Sequence, residues 1–174
     1  MNSTPLHPLL VHVPLGLAML MPLVAAGFAW AVLTGRVRPG AWLAVVVLQS
    51  VLLGAGLLAI NTGGAEEDRV ERVVPEGALH QHKESAEQFV WATGATLALA
   101  ALVLVFRRPV ASRALTAFVV AGTVGVAGLA VRTGHAGGQL VYVHGAAGAY
   151  TSTAQTPSGK SSTPPSAPRR HDDD

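Results

Sequence analysis

The sequence predicts an all-α integral membrane protein: a four-helix bundle, built as two duplicated helical hairpins, followed by a disordered C-terminal tail. Three observations predict it. Half of the 174 residues are hydrophobic and only 13% are charged; mean hydropathy is positive, the profile of a polytopic membrane chain. Four apolar runs, Leu9–Leu33, Ala41–Ile60, Phe89–Phe106 and Ala114–Val131, each come near the ~20 residues a helix needs to cross a bilayer, and apart from His12 none holds an ionisable residue. The loops after the first and third runs, TGRVRPG and RRPVASR, carry Arg36, Arg38, Arg107, Arg108 and Arg113 without one acid. Short Arg-rich loops face the cytoplasm.

Run one opens at Pro8, a residue suited to a first helical turn because its missing N–H costs nothing there. Pro14 lies further in and can kink the helix. His12, Gly16, Met19 and Leu23 share one stripe of this helix, and Gly16 leaves room for a flat ligand or a close neighbour. MNSTPLH has no positive n-region and the run behind it is too long for an h-region, so no signal peptide is expected.

Run two gives way to an acidic loop, Asn61–Lys83, with room for a short surface helix. The third helix starts near Leu79. His82, Ala86, Phe89 and Thr93 then share a small, mixed face expected to look into the bundle. His80 aligns with Glu84, Glu87 and Trp91 on a wetter face. In run four, Ala121, Gly125 and Gly128 form a stripe leading to Arg132 that would allow close helix approach. A Gly-rich exit loop is expected to follow, its segment Gly137–Gly145 folding back over the bundle mouth.

Residues 1–150 make one membrane domain. Residues 151–174 are rich in Ser, Thr and Pro, cannot bury a core and are expected to be disordered. Within the domain a weak repeat aligns Ala59–Ala65 with Ala130–Ala136 at an offset of 71, and His12 with His82 at an offset of 70. It suggests two hairpins in the same orientation, related by an axis along the membrane normal.

Four crossings put all seven histidines (His7, His12, His80, His82, His135, His144 and His171) on one side, with all ten acids. The Arg-rich loops make that side extracytoplasmic, so the expected location is the inner (plasma) membrane with both termini outside the cytoplasm. Imidazole is the commonest protein ligand for metals, and an intramembrane ionisable residue such as His12 is a functional candidate by default. His171, beside three Asp, reads as a solvated residue. The absence of cysteine excludes disulfides, iron–sulfur clusters, thiolate zinc sites and covalently attached c-type haem. The scattered Lys and Arg exclude a nucleic-acid interface. No GxSxG, HExxH or P-loop supports a hydrolase.

The opening His7-Pro8-Leu9-Leu10-Val11-His12-Val13-Pro14 and the segment Gly137-Gly138-Gln139-Leu140-Val141-Tyr142-Val143-His144-Gly145 resemble the HPLLVHFP start and GGxLVYxHG ending of a bacterial membrane family, domain of unknown function 2231. His82-Lys83-Glu84-Ser85-Ala86 is similar to the start of that family's third helix. The resemblance covers residues 7 to about 148; Val13 stands where the family has Phe. It implies a four-helix membrane module whose histidines correspond to His7, His12, His82 and His144. Relatives fused to Rieske-type iron–sulfur or cytochrome c domains imply membrane redox chemistry with such partners.

The leading expectation is therefore a b-type haem held non-covalently at the extracytoplasmic end of the bundle. His12 and His82 are the expected axial ligands, with His144 as an alternative to either. Arg132, with Tyr142 or the Gly137 and Gly138 N–H groups, is expected to meet the propionates. Two imidazoles leave no open iron position, so the role is electron transfer. A second reading is a Zn, Cu or Ni site made by His7, His12, His82 and His144 with Glu84 or Glu66. A third is a non-catalytic membrane anchor or scaffold for a redox partner.

Overall fold

Each apolar run becomes a helix, and every helix outruns its run. The structure is a computed structural model that describes residues 6–106 and 109–151. Helix α1 (Leu6–Leu10) is joined to α2 (His12–Leu33) through Val11: Val11 N–H bonds His7 O at 3.1 Å and Leu15 N–H bonds Val11 O at 3.2 Å. The two therefore make one crossing, His7–Leu33. Gly35, at φ +70, ends it, with Arg36 N–H returning to Ala31 O and Gly35 N–H to Val32 O. That is a Schellman closure, which needs the left-handed backbone glycine supplies. A 3₁₀ turn, Pro39–Trp42, leads into α3 (Leu43–Val70); α4 (Glu76–Val105), α5 (Pro109–Tyr142) and a short α6 (Gly148–Thr151) follow. Among the described residues, four helical segments are long and apolar enough to cross a membrane.

The largest departure from expectation lies at the histidine-bearing end. Helix α3 continues through Asn61–Val70 and α4 begins at Glu76, so the expected loop Asn61–Lys83 shrinks to residues 71–75. Helix α5 likewise runs through Gly134, Gly137 and Gly138 to Tyr142, and no segment folds back over the mouth before that point. Apolarity stops at the membrane surface, but helicity needs only an amphipathic face with something to bury. That something is a second, smaller core of Val74, Leu140 and Ala146, flanked by Val70, Ala78 and Leu79.

Packing places α2 against α3 and α5, and α4 against the same two. Helices α2 and α4 thus sit across one diagonal of the bundle, α3 and α5 across the other. Small residues face inward: Ala18, Ala25 and Ala100 are fully buried beside Met21, Val45, Leu52 and Val126. Large ones such as Leu23, Trp30, Leu57 and Phe118 face outward. This is the membrane rule, since lipid is as apolar as leucine and helices gain by close approach. Gly56 packs against the Phe89 ring and Gly122 against Thr96. Ala121, Gly125 and Gly128, expected at a helix contact, lie exposed instead. Buried polar side chains bond backbone carbonyls: Trp42 Nε1–H donates to Ala100 O at 3.0 Å and Thr93 Oγ1–H to Phe89 O at 2.7 Å.

Buried positions of the two hairpins also align in a register different from the one the sequence suggests. Moving from α2 to α4 by 75 residues superposes four of the five buried positions of each helix: Pro14 on Phe89, Ala18 on Thr93, Met21 on Thr96, Ala25 on Ala100. Moving from α3 to α5 by 74 superposes four more pairs: Val45 on Val119, Gln49 on Thr123, Leu52 on Val126, Gly56 on Ala130. A shift of 71 aligns buried positions too, Pro14 with Ser85, Ala18 with Phe89, Ala25 with Thr96 and Ala29 with Ala100, so burial alone does not choose the register; the histidine anchors described below follow 75 and 74. In that register the counterpart of His82 is His7, not His12.

Candidate functional site

His7 on α1 and His82 on α4 meet across the diagonal. Their ring centroids are 6.3 Å apart, with the planes at 81°, and both are half-buried. His7 Nδ1 lies 2.9 Å from Ala59 O and 3.4 Å from Thr62 Oγ1; His82 Nδ1 lies 3.2 Å from Thr133 O. A backbone carbonyl can only accept, so each Nδ1 donates, and a ring in its neutral form keeps the Nε2 lone pair available.

One turn beyond each accepting carbonyl stands a glycine. A Cβ on Gly63 would sit 3.1 Å from His7 Cε1, and a Cβ on Gly137 would sit 3.1 Å from His82 Cε1. The local unit is thus the same twice: a carbonyl, a glycine four residues later, and an imidazole lying on that stretch of helix. The two copies lie at offsets of 74 for Ala59 to Thr133 and for Gly63 to Gly137, and 75 for His7 to His82. Thr133 Oγ1 is buried beside this anchor without a hydrogen-bond partner.

Charged groups tie the surrounding helices together from outside. Lys83 Nζ holds both carboxylate oxygens of Glu67, at 2.7 and 2.9 Å. Arg132 Nη1–H donates to Gln88 Oε1 at 3.1 Å, and Gln88 in turn to Glu84. Tyr150 on α6 donates to Glu66 under the Arg69 guanidinium, 5.6 Å from the ring centre. Burial, then the bond to the Glu66 carboxylate, pushes the Tyr150 phenol up to about 12.

The residues expected at the site are distributed as follows. His82 faces into the bundle, as its spacing with Phe89 and Thr93 requires. His12 does not: it is exposed, on the same outward stripe as Gly16, Met19 and Leu23. The buried stripe of α2 is Pro14, Ala18, Met21, Ala25 and Ala29, which turns His12 toward lipid. His144 lies half-buried beyond the end of α5, where Gly145 at φ +71 closes the helix. Tyr142 is 90% exposed, and Gly137 and Gly138 spend their N–H groups inside α5. His80 and His135 are exposed. Among the described residues no three His, Asp or Glu side chains gather as a metal-binding group, so His7, His12, His82 and His144 do not form the four-histidine cluster that the sequence suggested. His171 lies outside the described residues, as do Arg107 and Arg108. The residue missed as one of the pair is His7; the buried, Ala-rich stripe of α2 was the signal that would have found it.

A family model described as "Predicted membrane protein (DUF2231)" matches residues 3–149. No curated protein and no solved structure shows a significant match.

Proposed function

The chain belongs to the DUF2231 family of predicted membrane proteins, and from that premise we propose that it holds a b-type haem non-covalently between His7 and His82 and takes part in membrane electron transfer. The observation that carries this reading is the symmetric pair itself: two imidazoles on diagonal helices, each fixed through Nδ1–H to a backbone carbonyl. A metal-bound histidine almost always donates its other ring N–H in this way, which fixes the tautomer and raises the basicity of the ligating nitrogen. Rings 6.3 Å apart, centre to centre, are spaced for one ion between them, given metal–nitrogen bonds of about 2.0–2.1 Å.

The donor set favours haem over a bare ion. Zinc, copper(II) and nickel want three or four protein ligands, and the described residues supply no such group. A haem iron brings four equatorial nitrogens of its own and needs two more. Bound there, held by His7 and His82, the haem would supply one-electron chemistry. The remaining work belongs to the chain. Ala59 O and Thr133 O orient the imidazoles, and Gly63 and Gly137 keep the two anchoring helices close against the rings. Arg132, adjacent in sequence to the Thr133 anchor, is the cation suited to a carboxylate at the rim. The Arg-rich loops support an extracytoplasmic position for the pair, where a Rieske-type or cytochrome c partner would exchange electrons with it.

The test is an optical spectrum of detergent-purified protein, oxidised and dithionite-reduced, from cells supplied with haem precursor. A Soret band with sharp reduced α and β bands is expected, lost in His7→Ala and His82→Ala and retained in His12→Ala. A featureless spectrum from folded protein would sink the proposal.

A further inference from the structure

Glu66 and Leu140 occupy matching places above the histidine pair. Gly63 and Gly137 face the two imidazoles. Three residues further along α3 and α5 come Glu66 and Leu140, about 4.5 Å farther out at ~1.5 Å of helical rise per residue. The rings lie one against α3 and one against α5, and they meet between them. One short piece of chain joins the two upper positions. Beyond Tyr142, Gly145 takes up φ +71 and Ala146 N–H returns to Leu140 O at 2.9 Å, which turns the chain back at the end of α5. Ala146 is buried in one cluster with Leu140 and Val74. Helix α6 follows, and its Tyr150 hydroxyl donates to Glu66, with the Arg69 guanidinium over the ring. We infer that residues 143–150 form a strap that closes the histidine pair to the aqueous phase, hinged at Gly145 and latched by Tyr150 on Glu66, and that a guest enters from that side when the latch opens.

The strap crosses the mouth because its two ends sit on opposite helices. It leaves α5 and is tied to α3, and these two helices face each other across a diagonal of the bundle. The route between them passes over the rings. From below, the pair is shut off by Ser85 and Phe89, buried one and two turns further into α4. The strap itself is built to part from its seat. Its hinge uses a backbone conformation that glycine adopts without strain. Between residues 143 and 150 the buried side chain is that of Ala146, which loses little apolar burial on leaving. A single turn such as α6 has no stability of its own. The bond from Tyr150 to the Glu66 carboxylate is of the strong, charge-assisted kind, so it weighs most in holding the strap down. Segments held by so little buried surface open locally while the rest of a fold stays intact. The strap is independent of what the pair binds; that the guest is a haem rests on the reading above.

The chain has no cysteine, so access to the pair can be read with an anionic, membrane-impermeant methanethiosulfonate on protein purified without haem and held in lipid nanodiscs. His82→Cys places a thiol beneath the strap, and its labelling is followed by intact mass. Adding Tyr150→Phe should speed that labelling about tenfold, the scale of a lost charge-assisted hydrogen bond. This substitution keeps the ring beneath Arg69 and removes the hydroxyl alone. Gly145→Ala, strained at φ +71, should act in the same direction. His80→Cys, at an exposed position of the same helix, should label at one rate in every background, which separates an opened strap from a loosened fold. His7→Cys repeats the measurement from the other ring, should His82→Cys fail to fold. Unchanged labelling beneath the strap in the Tyr150→Phe background, or an equal rise at His80→Cys, would overturn the proposal. With no haem present, these outcomes do not depend on the haem reading: a missing Soret band would sink that reading and leave the strap standing.

Discussion

Gly63 and Gly137 are the residues on which the site depends most after the histidines. Each lies where an added methyl would stand 3.1 Å from an imidazole carbon, closer than ordinary packing allows. The ring must give by a few tenths of an ångström, against the hydrogen bond that fixes its Nδ1. Gly63→Ala and Gly137→Ala are therefore expected to cost about 1–3 kcal/mol each as overpacking, read as a lowered melting temperature in detergent. If the proposed haem is bound, both should also diminish its Soret absorbance by similar amounts, since the two positions are equivalent. A loss confined to one glycine would break the equivalence. Tyr150 offers a second test at this scale. Its phenol is held neutral by burial and by Glu66, with a midpoint of about 12. The fold's preference for the neutral phenol is thus present below the ordinary tyrosine range of about 10 and fades as pH rises through 12. The chain has two tyrosines, so Tyr142→Phe leaves one phenol to follow by ultraviolet absorbance. It should ionise near 12, and Glu66→Gln should lower that midpoint; ionisation near 10 in the Tyr142→Phe protein would contradict the contact.

At the scale of elements, the adjacent glycines of α5 separate helix from loop. Gly138, unlike Gly137, has open space where a Cβ would go. In a helix interior, replacing an unhindered glycine by alanine stabilises by roughly 0.5–1 kcal/mol through backbone entropy. Gly138→Ala should accordingly raise the melting temperature while Gly137→Ala lowers it. If the segment were the exit loop that its glycine content suggests, the pair would not split this way. The same contrast explains what the sequence could and could not reveal. Membrane-crossing parts of all four helices are legible because ~20 apolar residues have few other fates. Their ends are not, since Asn61–Val70 and Arg132–Tyr142 are held by a small second core, Val74 with Leu140 and Ala146, whose partners are distant in sequence. His82 is legible from its neighbours Phe89 and Thr93. His12 misleads because inside a membrane the buried stripe is the small one, and Gly16 beside it suggested an interface that Ala18 and Ala25 in fact provide.

For the whole molecule, the two hairpins share one orientation, so everything chemical gathers at one end. His7 and His82 come from equivalent positions of the two halves and meet across a diagonal only because both hairpins enter the membrane from the same side; an inverted repeat would have separated them by the thickness of the bilayer. Which side that is follows from the short Arg-rich turn after α2. Arg36 there stacks over Trp30, 4.1 Å from its ring centre, at the end of the molecule opposite the acids of α3 and α4. The positive-inside rule predicts that this end faces the cytoplasm. The chain contains no cysteine, so single substitutions report topology without background. In intact spheroplasts, His80→Cys should react with a membrane-impermeant maleimide, while Arg36→Cys should react only after permeabilisation. Both side chains are exposed, so neither result would be masked by burial. The reverse pattern would turn the molecule over, and with it move the histidine pair and any soluble electron-transfer partner to the cytoplasmic side.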